Sequence, residues 1–127
     1  REEWNLRIEK SGYEAGYEAA GKMLQGIGLP AAWMVADCRL SGGIMDFCQD
    51  HRIRVPGQLR LIFFEDSNIL QYNRPSLSSV DVPSTEMAEN ALDILLLCCD
   101  NRIDIPIRRE LLPVYHIRES SGKRSEA

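Results

Sequence analysis

Residues 55–80 read VPGQLRLIFFEDSNILQYNRPSLSSV and contain the clearest strand of the chain. A Pro-Gly turn at 56–57 precedes residues 59–64 (LRLIFF), which are apolar except for one arginine. A short apolar run after a turn signal is typical of a strand that is covered on both faces, as in a parallel sheet. Glu65 and Asp66 follow at its carboxyl end. Open α/β sheets bind their ligands at this edge.

Strands and helices alternate on both sides of this segment. Ser11 and Glu14 have the spacing of a capping box, and apolar residues recur at helical spacing after them until Gly26. The other predicted elements are a strand at 31–36, a helix at 40–51, a one-turn helix from Ser67, a strand at 77–80, a helix at 83–96 and an extended segment at 105–117. This order predicts the α/β class, with a doubly wound, mainly parallel sheet and helices on both faces.

Composition and charge narrow the functional classes. With 127 residues, 44% of them hydrophobic, the chain is long enough for one domain with a core. The net charge is -4, and the basic residues are scattered among acids, so we expect no DNA binding by this segment alone. The apolar runs are too short to span a bilayer and no signal peptide precedes the first helix, which predicts a soluble, cytoplasmic protein without membrane contact.

The cysteines do not form a metal-binding pattern. Cys38, Cys48, Cys98 and Cys99 show no CxxC spacing, and both histidines lie away from them. We therefore predict no metal site and buried free thiols, which fit a reducing cytoplasm. Cys98 and Cys99 are adjacent, which disfavours a bridge between them. The sequence has no GxSxG, HExxH or GxGxxG motif, so we predict neither an enzyme nor a cofactor site.

Three residues are candidates for ligand binding: Trp4, Asp37 and Glu65. Each is predicted to lie at or just past the carboxyl end of a strand, so all three face one edge of the sheet. An aromatic ring covers the apolar C–H face of a polyhydroxylated ligand, and carboxylates accept hydrogen bonds from its hydroxyls. Alternatively, Trp4 is a core or rim residue and Asp37 only caps the following helix.

Five short segments are similar to one known family. They are 54–57 (RVPG), 64–66 (FED), 75–80 (PSLSSV), 83–97 and 118–121 (RESS). They occur in the same order as in the C-terminal half of the effector-binding domain of the lactose-repressor (LacI/GalR) family, which the chain resembles from about residue 4 to 121.

The resemblance implies a periplasmic-binding-protein-like type I fold with two lobes. Residues 1–119 would then be its C-terminal portion. Within it, 1–74 and 105–119 would belong mostly to the second lobe, and 75–99 would supply a strand and helix of the first-lobe type. Residues 120–127 are expected to form a disordered tail.

The resemblance also implies the roles of the candidate residues. It places a stacking aromatic at Trp4, a hydroxyl-binding Asn or Asp at Asp37 and a ligand-binding Asp at Glu65, while Cys38 replaces an Asp that is usual in the family. The implied function is binding of a sugar or sugar-like effector that allosterically controls operator DNA binding, through a headpiece absent from this chain. The alternative is half of a periplasmic-type sugar-binding protein of a transport system.

Apolar residues in two predicted helices suggest self-association. Residues 40–47 and 87–96 carry more apolar side chains than a half-domain can bury. We therefore predict a homodimer, as the resemblance also implies.

Overall fold

The computed structural model of the chain describes residues 5–100 and 106–122. Its helices and strands are α1 (Tyr13–Gly26), β1 (Ala32–Val35), α2 (Ser41–Asp50), β2 (Arg60–Phe64), α3 (Asn68–Tyr72), β3 (Ser78–Asp81), α4 (Ser84–Cys99) and β4 (Val114–His116). Two short 3-10 helices lie at Cys38–Leu40 and Glu119–Ser121.

The described strands form one sheet in the order β1-β2-β3-β4. β1, β2 and β3 run parallel, and β4 runs antiparallel to β3. The apolar run of the central segment forms β2, which has a strand on each side, and its Leu61 and Phe63 are almost completely buried. The predicted α/β class with a mainly parallel sheet is confirmed.

The core lies on one face of this sheet. Val35, Leu61 and Phe63 share it with the apolar sides of α1 and α2. This arrangement follows from the period of two in a strand, which turns alternate residues to one face. On the opposite face Met34 and Phe64 are 60% and 37% exposed. Within residues 5–100 and 106–122, therefore, the face covered by α1 and α2 is buried, and the face that carries Met34 and Phe64 is much more exposed.

Two glycines allow α1 and α2 to approach closely. A Cβ atom at Gly16 would collide with the backbone carbonyl of Leu40, and one at Gly43 with the carbonyl of Tyr13. Both neighbours are backbone atoms, so the helices would have to move apart to accept a methyl group. The close contact fixes the position of α2 and of the turn that precedes it.

Two tyrosine–carboxylate pairs join the same helices. Tyr13 Oη donates to Asp46 Oδ2 at 2.6 Å, and Tyr17 Oη donates to Asp50 Oδ2 at 2.8 Å. These hydrogen bonds raise the pKa of both tyrosines, since each acceptor carboxylate favours the protonated phenol. The two tyrosines are four residues apart on α1, and the two aspartates are four residues apart on α2. The two hydrogen bonds therefore lie one helical turn apart along the same interface.

The predicted capping box of Ser11 and Glu14 is wrong. The N-cap of α1 is Gly12, with φ 101, and no side-chain hydrogen bond caps the helix. The hydroxyl of Ser11 instead donates to Asp37 Oδ2 at 2.6 Å. In a capping box the serine oxygen would accept from a backbone N–H, whereas here the hydroxyl donates to a charged carboxylate, a stronger kind of hydrogen bond.

The exposure of apolar helix residues follows the prediction in only one of the two helices. Leu40, Ile44 and Phe47 are buried, so the predicted exposure of residues 40–47 is wrong. In α4 no residue is buried. Its exposed apolar side chains include Met87, Leu92, Leu95 and Leu96.

The expected lobe assignment of residues 75–99 stays a prediction. Within this segment, β3 is hydrogen-bonded between β2 and β4 in the sheet described above. Ser78 and Ser79 of β3 are buried, whereas no residue of α4 is.

The chain stays ordered beyond the predicted start of a disordered tail at residue 120. Ser120 is fully buried. Its hydroxyl donates to the carbonyl of Leu61 at 2.7 Å and accepts from the backbone N–H of Ser78 at 2.8 Å. The prediction of disorder is therefore wrong for Ser120 and Ser121, and residues 123–127 lie outside the described part.

The four cysteines are free, but only half of them are buried. Cys38 and Cys48 are buried, and desolvation raises the pKa of Cys48 to about 11. Cys98 and Cys99 are exposed at the end of α4, so the prediction of buried thiols is wrong for them. In the described residues no helix has the length and apolar character that crossing a membrane requires.

Candidate ligand site at the carboxyl edge of the sheet

The parallel register brings two of the predicted site residues to one edge. Val35 pairs with Phe63, so Asp37 and Glu65 each follow two residues later at equivalent positions past β1 and β2. Between them, the buried thiol of Cys38 has a raised pKa, first through desolvation and then through the charges of both carboxylates. Trp4 lies outside the described residues, and its stacking role stays a prediction.

The carboxylate of Asp37 is fully engaged. Its Oδ1 accepts from Arg39 N at 2.9 Å and Nε at 3.0 Å, and its Oδ2 accepts from Arg39 Nη2 at 3.0 Å and from the Ser11 hydroxyl. A carboxylate has about four acceptor positions, and all are taken. The hydrogen bonds from Arg39, with that from Ser11, lower the pKa of Asp37 to about 2.

Asp37 therefore has the capping role that was the alternative to ligand binding in the sequence analysis. It caps the 3-10 helix that follows it, through the N–H of Arg39. A ligand hydroxyl can bind its carboxylate only by replacing the Ser11 hydroxyl or a guanidinium N–H.

The carboxylate of Glu65, unlike that of Asp37, is not engaged in hydrogen bonds with described side chains. Its side chain is exposed, and no side chain in the described part of the chain donates a hydrogen bond to its carboxylate. Its backbone has φ 67, in the left-handed region that residues other than glycine rarely adopt. The N–H of Glu65 donates to the Val80 carbonyl at 2.9 Å, which ties this conformation to β3. Strained backbone of this kind is often found at ligand sites, where neighbouring contacts maintain it.

The next residue belongs to an ion pair that the sequence did not predict. Arg118 donates from Nη1 to Asp66 Oδ1 at 2.8 Å and from Nη2 to Oδ2 at 2.9 Å. The Ser79 hydroxyl adds a hydrogen bond to Oδ1 at 2.6 Å. Arg118 is the main cause that lowers the pKa of Asp66 to about 2, with Ser79 adding to it. His116 Nε2 lies 3.7 Å from Asp66 Oδ2.

A cavity of about 640 Å³ opens beside β1 at this edge. Its wall includes Trp33, Met34, Asp37 and Arg39, together with residues 5, 6 and 8–11. Glu65 is not part of the wall. The described residues thus supply an apolar surface and one charged pair on the β1 side, and a free carboxylate on the β2 side.

The chemistry available at this edge is acceptance of hydrogen bonds. Among the described residues, no side chain donates a hydrogen bond to Glu65, whereas Asp37 accepts from Arg39 and Ser11, and Asp66 is held in a bidentate pair with Arg118. No group of three or more His, Cys, Asp or Glu residues in the described ranges has the geometry of a metal site. Hydroxyl-rich ligands suit such a set of acceptors.

Known proteins similar to this chain are transcription regulators. The family described as "Periplasmic binding protein-like domain" matches residues 2–121. The HTH-type transcriptional regulator GalR of Streptococcus thermophilus is 36% identical over 83 residues, which are 65% of this chain and 25% of that protein. The HTH-type transcriptional regulator LacR of Lactobacillus helveticus is 30% identical over 101 residues, 78% of this chain and 30% of that protein.

The solved structures agree with this comparison. The crystal structure of the Escherichia coli transcriptional repressor ascG has a TM-score of 0.73 and 26% identity, over 86% of this chain and 39% of that one. The chain thus spans less than a third of the length of the two regulators it matches.

We expect Arg39→Gln to move the pKa of Asp37 up from about 2 toward 3.8. Because this pKa is lower in the folded state, the interaction stabilises the fold above the unfolded pKa and the benefit is lost as pH falls toward 2. Arg39 is 73% exposed, so the loss at neutral pH should stay below about 1 kcal/mol. Carboxyl NMR titration and urea unfolding across pH measure both quantities.

The matched control is Arg108→Gln, which breaks the exposed ion pair with Glu110. It should leave the titration of Asp37 unchanged. An Asp37 titration curve that does not move in Arg39→Gln would contradict the assignment of Arg39 as its main partner.

Proposed function

This chain belongs to the periplasmic binding protein-like family and forms the C-terminal part of the effector-binding domain of a LacI/GalR regulator, and from that premise we propose that it binds a sugar or sugar-like effector which controls operator DNA binding. The relatives named above are transcription regulators, which supports a regulator over an enzyme or half of a transport protein. It would act in the cytoplasm.

The observation that carries this proposal is the free carboxylate of Glu65. It is exposed at the carboxyl edge of a parallel sheet, on a strained backbone, at the position equivalent to Asp37. A charged acceptor to which no described side chain donates a hydrogen bond is suited to ligand hydroxyls, since charge-assisted hydrogen bonds are the stronger ones. We propose Glu65 as the main acceptor, Asp37 as a second acceptor that exchanges a partner on binding, and Trp4 as the stacking surface.

We propose that α4 packs in a first lobe, and that the effector lies between this lobe and the sheet. In support, α4 has no buried residue, and Pro83 separates it from β3. A ligand that binds one arrangement of two lobes better than another shifts the population toward it. That shift would change how a dimer presents its headpieces to DNA.

Glu65→Gln tests the acceptor role. In the complete regulator we expect it to weaken effector binding by about 1 to 3 kcal/mol, because a charge-assisted hydrogen bond becomes a neutral one. The fold should be intact, since no described side chain depends on this carboxylate. Calorimetric titration with lactose, D-galactose and cellobiose, beside a melting curve of the same variant, gives both values.

The control is Glu89→Gln on exposed α4, which removes the same charge away from the sheet edge. It should change neither affinity nor melting temperature. If Glu65→Gln leaves affinity unchanged and lowers the melting temperature, Glu65 is a structural residue. Binding of none of the three sugars would contradict a sugar effector of this class.

We also propose that the isolated chain associates with itself. Leu92, Leu95 and Leu96 on α4 are 56% to 59% exposed, and burial of such side chains favours association. Sedimentation velocity at micromolar concentration should show dimers, and Leu95→Glu should shift them toward monomer. Asp93→Asn on the same helix is the control without an apolar change. A monomer in the unmodified chain would contradict the proposal.

A further inference from the structure

We infer that Arg118 is a positioning residue for Glu65. By fixing the neighbouring Asp66 side chain, it holds the Glu65 backbone and connects the ligand edge to β3, which leads into α4. This inference rests on the proposed role of Glu65 in effector binding. Neither Arg118 nor Asp66 is required to touch the effector.

The first step is the immobilisation of Asp66. Both of its oxygens are held by the guanidinium of Arg118, and Ser79 donates to one of them. The planar guanidinium makes two parallel hydrogen bonds, so it fixes both the distance and the plane of the carboxylate. The Arg118 and Asp66 side chains are only 16% and 22% exposed, so water competes weakly for this pair.

The second step is the effect on Glu65. Its own N–H is held by the Val80 carbonyl, and the side chain of the next residue is held by Arg118 and Ser79. Between these two anchors the chain has few free torsions, and Glu65 is kept at φ 67. A residue without these anchors would relax toward negative φ, which turns its side chain in another direction.

The third step is the rigidity of Arg118 itself. Its Nη1 also donates to the Leu77 carbonyl at 2.7 Å, and its backbone N–H donates to the Ser78 hydroxyl at 2.8 Å. Next to it, Glu119 Oε2 accepts from the N–H and hydroxyl of Ser76 at 2.8 and 2.9 Å. Arg118 is therefore built into the sheet edge and cannot swing out as a surface arginine does.

The fourth step is the connection to α4. β3 leads through residues 82–83 into α4, and residues 106–113 lead back into β4. β3 and β4 pair with each other, and Ser79 and Arg118 extend from these two strands to the same carboxylate. A displacement of α4 relative to the sheet would thus reach Asp66 through residues 82–83 and Ser79 of β3, and through Asp66 it would reach Glu65.

The test is a double-mutant cycle in the complete regulator with lactose, D-galactose and cellobiose as calorimetric probes. Arg118→Lys keeps the charge but loses the planar pair, and should weaken binding of the sugar that titrates by about tenfold. In the Glu65→Gln background the same change should weaken binding less than about twofold, because residues acting through one group are not additive. Arg108→Lys, at the exposed pair with Glu110, should change affinity in neither background.

The outcomes separate the inference from the proposed function. If Glu65→Gln does not weaken binding, the proposed function of Glu65 fails and the inference fails with it. If Glu65→Gln weakens binding but Arg118→Lys does not, or if the two effects add, only the positioning role is overturned. Should Arg118→Lys not fold, Ser79→Ala replaces it in the same cycle, since it removes one hydrogen bond to Asp66 and leaves the ion pair.

Discussion

The ion pair of Asp66 and Arg118 is the interaction on which the carboxyl edge of this sheet depends. Its partners are 52 residues apart in the sequence, at the end of β2 and after β4. The lowering of the Asp66 pKa from 3.8 to about 2 corresponds to about 2 kcal/mol in favour of the folded state. That contribution is present above the unfolded pKa and is lost as pH falls toward 2. Without the pair, residues 118–121 would be held mainly by the serines and Glu119.

Those serines complete the attachment of the chain's end to the sheet. Ser120 connects to Leu61 and Ser78, so β2, β3 and the terminal 3-10 helix share buried hydrogen bonds. On the other side of the site, α1 and α2 pack through glycines, and Ser11 connects α1 to Asp37. Asp37 and Asp66 are thus satisfied by the protein, while Glu65 between them keeps an open carboxylate. In the proposed site, these rigid neighbours would hold Glu65 ready to accept a ligand.

Local sequence patterns predicted the helices and strands, but the side-chain contacts between distant parts of the chain could not be predicted from them. The apolar run at 59–64 and the helical spacing of α1 and α2 predicted those elements because the signals lie within one element. No periodicity in the sequence connects Asp66 with Arg118 or Ser120 with Leu61, so the ordered end was missed. Ser11 was misread as a cap because its partner in the structure, Asp37, lies 26 residues away in the sequence. For α4 the apolar spacing correctly predicted a helix. The spacing alone does not indicate which other surface its apolar side chains pack against.

The central claim is that Arg118, through Asp66, holds Glu65 in its strained conformation, and amide hydrogen exchange tests it most directly. The N–H of Glu65 is hydrogen-bonded to Val80, and that of Ser78 to Ser120, so both report on this edge. In Arg118→Lys, both amides should exchange faster, while those of Ile44 and Phe47 in α2 keep their rates, because opening is local. Unchanged exchange at Glu65, or an equal increase in all four amides, would contradict the claim.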